Sequence, residues 1–394
     1  AMCGLLHITV RALARWVSIL LTLVAAAVVA LVVLPAPTKA ASYLAIFFDE
    51  KTPFIVGAVV LAAGLARLSN ARAWIVAQTM FGLAIVAVAC VAPGQALRVG
   101  VKNHVAIDFA RYLQAPVDEG GGHPSQTVVY NTVAGQALAL DVYRPTPPAN
   151  AAAPAPAIIV LHEGGWSAGD KGSAPRMSAW LASHGWAVFD VQYRLAPQPT
   201  WQAAIGDVKC AIGWVKRHAR DVGVEVDPAR VTLLGRSAGA HLAMLAAYAP
   251  DEPALPPSCA AGDTHVASVI SFYGPTDLVW AWNHPTNPRV FDTPGRLGSY
   301  IGGTPATQPE RFRLLSPLTH VTSGAPPTLL LHGGHDAFVP LAHTELMDAK
   351  LSAAGVRHEV LVVPYGQHGF DFIFGGLGEQ LAEQTILRFL RAGR

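Results

Sequence analysis

Charge is scarce in this chain. Only 14% of its 394 residues are Asp, Glu, Lys or Arg, the formal net charge is +2, and no long run of Lys or Arg occurs. A nucleic-acid partner therefore lacks the electrostatic footing that phosphate neutralisation requires. Cysteine is scarcer still. The four cysteines, at positions 3, 90, 210 and 259, show no CxxC spacing, which argues against a zinc ribbon or a thioredoxin-like redox pair. No internal repeat is evident, and neither a metal nor an organic cofactor is implied. What abounds is apolar surface: 52% of the residues are hydrophobic, an excess over ordinary soluble enzymes that must be housed somewhere.

The excess lies at the front. Trp16 to Leu34 and Ala73 to Ala92 are uncharged runs close to the roughly 20 residues a helix needs to cross a bilayer. Thr52 to Ala66, between them, is shorter and contains glycine. A single run of this kind also fits a core helix or a signal sequence; three in succession predict a transmembrane helical region over 1–92 with about three spans. Arg11 and Arg15 precede the first span, and Arg67 and Arg72 flank the tight connection between the second and third. Basic residues are retained on the cytoplasmic side, so an odd number of crossings places everything after Pro93 on the extracytoplasmic side. Residues 93–125 read as a connector or cap-like segment, with a short amphipathic helix expected over Val105–Leu113 and a hinge at Gly120-Gly121-Gly122.

From 126 to the end the pattern is α/β. Strands are expected at Thr127–Tyr130, Ala137–Tyr143, Ala157–Leu161, Ala187–Gln192, Arg230–Leu234, Ala267–Tyr273, Thr328–Leu331 and His358–Val363. Helices are expected at Pro175–His184, Gln202–Ala219, Ala238–Tyr248, Ala342–Ala354 and Glu379–Arg391. The first two strands read as a hairpin about Ala134-Gly135, and the later alternation as a mainly parallel sheet with helices on both faces. Ala149–Pro156 is an Ala/Pro spacer expected to be an exposed loop.

Two motifs carry chemistry. Gly235-Arg236-Ser237-Ala238-Gly239 follows the buried-strand run Val231–Leu234 and precedes a helix-forming run. In that context GxSxG is a nucleophile elbow, which lifts the serine hydroxyl above the sheet on a strained turn. His162-Glu163-Gly164-Gly165-Trp166 follows the strand ending at Leu161, where a glycine-rich turn lets backbone amides converge on an oxyanion. Gly164, Gly165 and Ala238 are the candidate donors.

With Tyr193-Arg194-Leu195-Ala196-Pro197 and Ser316-Pro317-Leu318, the region from about Gln136 onward resembles the hormone-sensitive-lipase-like family of bacterial esterases and carboxylesterases. The resemblance implies an α/β-hydrolase fold, an HGGG oxyanion loop and a late Asp and His. Glu163 stands where that family has the first loop glycine, and Arg236 where it often has Asp. The family's chain order of nucleophile, acid and base points to Asp336, in the HGxxD-like turn His332–Asp336, and to His368, in the loop after the strand ending at Val363. His332 and His335 precede the acid and would reverse the order; Asp371 lies only three residues past His368, and Asp277 follows another strand.

The reading that results is a membrane-anchored serine hydrolase. It cleaves carboxylic esters through Ser237, His368 and Asp336 by way of an acyl-enzyme. Its expected partners are a small-molecule ester, for which a partly lipid-soluble one would fit the arrangement, and the bilayer. The alternatives are a membrane acyltransferase with the same triad, a serine peptidase, and a non-catalytic binding module. The segment Leu278–Leu314, rich in aromatics, reads either as a partial lid or acyl-pocket wall, or as a surface excursion. Cys210 and Cys259 read either as a disulfide of an exported domain or as two buried thiols.

Overall fold

The computed structural model describes residues 2–69, 71–115, 121–146, 154–196 and 199–393. Pro197, Gly120 and most of the Ala/Pro spacer (149–153) lie outside these. Six helices come first: α1 (Met2–Val33), α2 (Lys39–Asp49), α3 (Thr52–Arg67), α4 (Arg72–Ala89), α5 (Val91–Lys102) and α6 (Phe109–Gln114). By length and composition, Val10–Val33 and Arg72–Lys102 suffice to cross a membrane, whereas Thr52–Arg67 is apolar but shorter.

The remainder runs β1 (Gln126–Val133), β2 (Gln136–Tyr143), β3 (Ala155–Leu161), α7 (Pro175–Ser183), β4 (Ala187–Val191), α8 (Trp201–His218), β5 (Val226–Arg236), α9 (Ala238–Tyr248) and β6 (Ser268–Phe272). It continues through α10 (Leu278–Asn283), α11 (Thr293–Ile301), α12 (Pro309–Leu314), β7 (Thr328–Gly333), α13 (Ala342–Ala353), β8 (His358–Val363) and α14 (Leu377–Arg391). The eight strands form one sheet in the order β1-β2-β4-β3-β5-β6-β7-β8. The pairs β1/β2 and β2/β4 are antiparallel and every later pair is parallel.

Successive residues of a strand point to opposite faces, and both faces of this sheet are covered. Along β3, Ile159 and Leu161 enter one core with Leu242 and Val208, while Ile158 and Val160 enter the other with Leu181 and Leu381. Strand β4 is buried at every position, as a central strand covered by helices on both sides must be. Register aligns the carboxyl ends of the parallel strands: Leu161 opposite Gly235, Arg236 opposite Phe272, and Gly333 opposite Val363. Loops leaving this edge converge, which is where open α/β sheets place their sites.

The segment 93–125 is more than a connector. Helix α5 passes through Pro93, which sits in its first turn, where a missing N–H is tolerated. Ala96 packs with Leu381, and Arg111 bridges Glu379 (3.1 Å) and Glu383 (2.5 Å) of α14. The helix expected over Val105–Leu113 begins only at Phe109, because the Asp108 carboxylate caps it by accepting from the Arg111 N–H (3.0 Å). Cys210 of α8 and Cys259 are joined in a disulfide, with Cα atoms 5.5 Å apart. Closing a loop of 49 residues limits the unfolded chain by about 4 kcal/mol in the chain-entropy account.

Candidate active site

Ser237 stands between β5 and α9 at φ 50° and ψ −116°, a conformation a serine adopts only when its surroundings impose it. The flanking glycines impose it. A Cβ at Gly235 would meet the Gly239 carbonyl oxygen at 2.3 Å, and one at Gly239 would meet the Leu161 oxygen at 2.3 Å. The strand, the turn and the end of β3 therefore close on one another only without side chains there.

The hydroxyl of Ser237 lies 3.0 Å from His368 Nε2, and His368 Nδ1 lies 2.7 Å from Asp336 Oδ2. The other carboxylate oxygen of Asp336 accepts the N–H groups of Phe338 and Val339, both at 2.8 Å. Burial pushes the Asp336 carboxyl up, but the imidazoles of His368 and His332 and the hydrogen bonds they offer hold it well below the usual carboxylate range. A permanently ionised acid keeps the His368 proton on Nδ1 and leaves Nε2 to face the serine. The ring of His368 is held between aromatics: Phe338 stacks on it at 4.9 Å and Tyr273 leans on it at 4.4 Å.

The loop after β3 turns through Gly164 (φ 122°), Gly165 (59°) and Trp166 (59°). Among the described residues, the N–H groups of Gly164, Gly165 and Ala238 donate to no protein acceptor, so they are available to an oxyanion. The loop is buttressed from the Tyr193–Ala196 segment. Tyr193 stacks on His162 (4.2 Å) and donates its hydroxyl to the His162 carbonyl (2.8 Å), and the Ala196 N–H donates to the Trp166 carbonyl (2.8 Å). Arg194 fixes that segment in turn by a two-pronged pair with Asp207, at 2.8 and 2.7 Å. Glu163, in place of a loop glycine, turns its carboxylate to the Ser173 hydroxyl (3.3 Å).

The other candidates fall elsewhere. His241 accepts from the Trp166 indole (3.2 Å) and donates to the Leu315 carbonyl (2.8 Å), and burial brings its pKa down to about 4; it is a neutral packing residue. His332 contacts the Asp336 carboxylate from behind (3.4 Å). His335 rests on Tyr365 (4.5 Å). Asp277 caps α10. Asp371 turns away from His368 to bind Arg236 (2.5 Å) and the Tyr273 hydroxyl (2.6 Å).

A narrow apolar pocket opens at Ser237. Its walls include Gly165, Ala281, Phe291, Leu297 and Phe338, so the 278–314 excursion is a pocket wall, folded as α10 to α12. Sequence reasoning missed Phe291, Phe338 and Tyr273 because an aromatic in a loop carries no mark of the histidine or pocket it will face.

Beneath the site, burial pushes the Asp190 carboxyl up to about 7, against the pull of the Gly172 N–H (2.8 Å) and the Arg236 charge. Its folded pKa exceeds the unfolded value, so the folded state holds the extra proton and stability from this group falls as pH rises from about 4 to 7. Asp190→Asn removes that dependence. Its stability relative to wild type should improve by about 2–3 kcal/mol between pH 5 and pH 8, read from urea unfolding at each pH; a difference constant with pH refutes it.

The fold and this site define an α/β-hydrolase. The family model BD-FAE matches residues 140–351, more than half of the chain, and the chain belongs to that family. Among curated proteins it is similar to the probable carboxylic ester hydrolase LipM of Mycobacterium tuberculosis, 33% identical over 256 residues, covering 64% of this chain and 57% of that protein. It is also similar to esterase LipQ of the same organism, 35% identical over 220 residues, covering 55% of this chain and 51% of that one. The chain spans about half the length of these relatives. Among solved structures it is similar to the thermophilic esterase Est2 of Thermogutta terrifontis, with a TM-score of 0.55 and 29% identity over 70% of this chain and 92% of that one.

Proposed function

We propose that the protein is a membrane-anchored serine hydrolase that cleaves carboxylic esters. The observation that carries the reading is the chain of hydrogen bonds from the strained Ser237 through His368 to the ionised Asp336. Ser237 Oγ attacks the ester carbonyl while His368 Nε2 takes its proton. The carbonyl oxygen becomes an oxyanion received by the amides of Gly164, Gly165 and Ala238. The intermediate collapses, expelling the alcohol with the proton from His368 and leaving an acyl-enzyme. Water, deprotonated by the same imidazole, releases the carboxylic acid and restores the serine. The test is a panel of acyl esters of rising chain length with the purified full chain, with and without added alcohols. The hydrolase reading expects free acid in proportion to alcohol released; accumulation of a new ester at the expense of acid identifies an acyltransferase.

The anchor reading rests on packing as well as hydropathy. Ala25 and Val29 of α1, Ile55 and Val59 of α3, and Ile85 and Ala89 of α4 form one apolar cluster. At the opposite end Gln78 donates to the Ser18 carbonyl (3.1 Å) and Arg15 lies over Trp74 (6.0 Å). This alternation supports three crossings. The 16 residues of α3 give about 24 Å of helix, short of a core of roughly 30 Å, and Arg67 at its end extends the reach by snorkelling. The disulfide favours an oxidising compartment for the catalytic domain. In a Cys3→Ser, Cys90→Ser background, Glu310→Cys on the exposed face of α12 should react with an impermeant maleimide on intact cells, and Arg67→Cys only after the membrane is opened. Protection of position 310 places the domain inside.

A further inference from the structure

The stretch between α1 and α3 does more than join two helices. Resting on the serine-esterase reading above, we propose that residues 32–51 form the cap of the active site and set its mouth against the lipid surface, so that the substrate is an ester resident in the bilayer.

The contacts of this short stretch fall on the acid loop, on the pocket-wall excursion and on the end of the His368 loop. His335, next to the acid, lies beside the Val32 carbonyl at the end of α1. The Tyr43 ring meets Phe338 (6.0 Å), the same ring that stacks on His368 and touches Phe291 (5.5 Å) in the pocket wall. Asn287 donates its side-chain amide to the Pro37 carbonyl (3.2 Å), and the Lys39 N–H donates to the Arg289 carbonyl (3.0 Å), both in the pocket-wall excursion. Glu50 is buried and accepts the N–H groups of Leu377 (2.6 Å) and Gly378 (2.8 Å), where the His368 loop ends and α14 begins. A carboxylate at a helix N-terminus satisfies amides that otherwise lack acceptors. Lys51 completes the hold by donating to the Ala115 carbonyl (2.6 Å).

The outer face of the same stretch is apolar. Tyr43 and Leu44 are each 50% exposed. On one side they continue into Leu34 at the end of α1, and on the other into Phe54 at the start of α3, both exposed. The apolar surface of the membrane helices thus runs onto a helix that touches the pocket wall, with the exposed Lys39 at its start reaching over the Tyr43 ring (5.8 Å), as a basic side chain does when it snorkels at a lipid surface. Its continuity with the proposed membrane helices identifies the occupant as lipid. An ester dissolved in the outer leaflet reaches Phe338 and Ser237 past Tyr43, without entering bulk water.

The test uses the full chain reconstituted in phosphatidylcholine vesicles. Two substrates are compared: a long-chain monoacylglycerol dissolved in the vesicles, and p-nitrophenyl butyrate in the water phase. In Tyr43→Ala the ratio of kcat/KM for the vesicle ester to that for the aqueous ester should fall about tenfold, and Tyr43→Phe, which keeps the ring, should restore it. An unchanged ratio in Tyr43→Ala overturns the proposal. A second measurement does not depend on turnover. Bimane attached at Tyr43→Cys, in the Cys3→Ser, Cys90→Ser background, should be quenched by nitroxide-bearing lipid; quenching by aqueous iodide alone overturns the proposal equally. Failure of the esterase reading looks different: the wild type then cleaves neither ester, or Ser237→Ala still cleaves both.

Discussion

Ser237→Ala is expected to reduce kcat for ester hydrolysis by about 10³-fold or more while the protein folds and inserts as before. The loss is large because the proposed mechanism makes the hydroxyl the nucleophile, and nothing else in the pocket replaces it. Folding is spared because Ser237 contributes one hydroxyl to a site whose geometry comes from backbone: its own N–H to the Phe272 carbonyl (2.9 Å) and the glycine contacts on either side. His368→Ala should fall to a similar residual rate, and combining the two should cost little more, since the members of a triad act as a unit. Near wild-type hydrolysis by purified Ser237→Ala refutes the nucleophile assignment. Substitution of His335 or Asp371 supplies the contrast for base and acid: neither touches Ser237 or His368 by a hydrogen bond, so neither should act as a catalytic group.

Arg236→Ala is expected to destabilise the catalytic domain by about 3–5 kcal/mol, the cost of removing one partner from a buried ion pair. The guanidinium is 1% exposed, lies over the Phe272 ring (5.2 Å) and binds Asp371, which also accepts from Tyr273. Without the arginine, Asp371 is left as a buried carboxylate whose remaining donor is a single phenol. The triple replacement Arg236→Met, Asp371→Leu and Tyr273→Phe should recover most of that loss, because apolar side chains remove the desolvation cost along with the attraction and no phenol is left unpaired. Urea unfolding followed by near-UV circular dichroism reads both. A loss under about 1 kcal/mol for Arg236→Ala contradicts the account. The same network carries Tyr273 against His368 and so ties the fold's core to the base.

The sheet was legible in the sequence because its central strands are apolar runs bounded by turn residues, and burial on both faces leaves no other pattern for them. The elbow was legible because two glycines and a serine between a strand and a helix serve few other purposes. Asp336 and His368 were legible only through the chain order implied by the family resemblance. What escaped was whatever depends on distant partners. The contact of Glu50 with Leu377 and Gly378 uses backbone amides, which carry no residue-type signal. Helix α5 continues past the apolar run that ends at Ala92 and is held by α14, a distant partner, and α10 to α12 are too short, at six to nine residues, to show a helical period. The two readings of Cys210 and Cys259 differed only in whether a surface loop returns to α8, a matter of tertiary packing that spacing does not encode.

The central claim is that Ser237 is the nucleophile of an acyl-enzyme mechanism. An organophosphonate tests it most directly, since such reagents are attacked by an activated serine and remain bound to it. The full chain is treated with a fluorophosphonate, digested and mapped by mass spectrometry. One adduct is expected, on the peptide that contains Ser237, absent from Ser237→Ala and strongly slowed in His368→Ala. An adduct on a different serine, or none in an otherwise folded protein, contradicts the account.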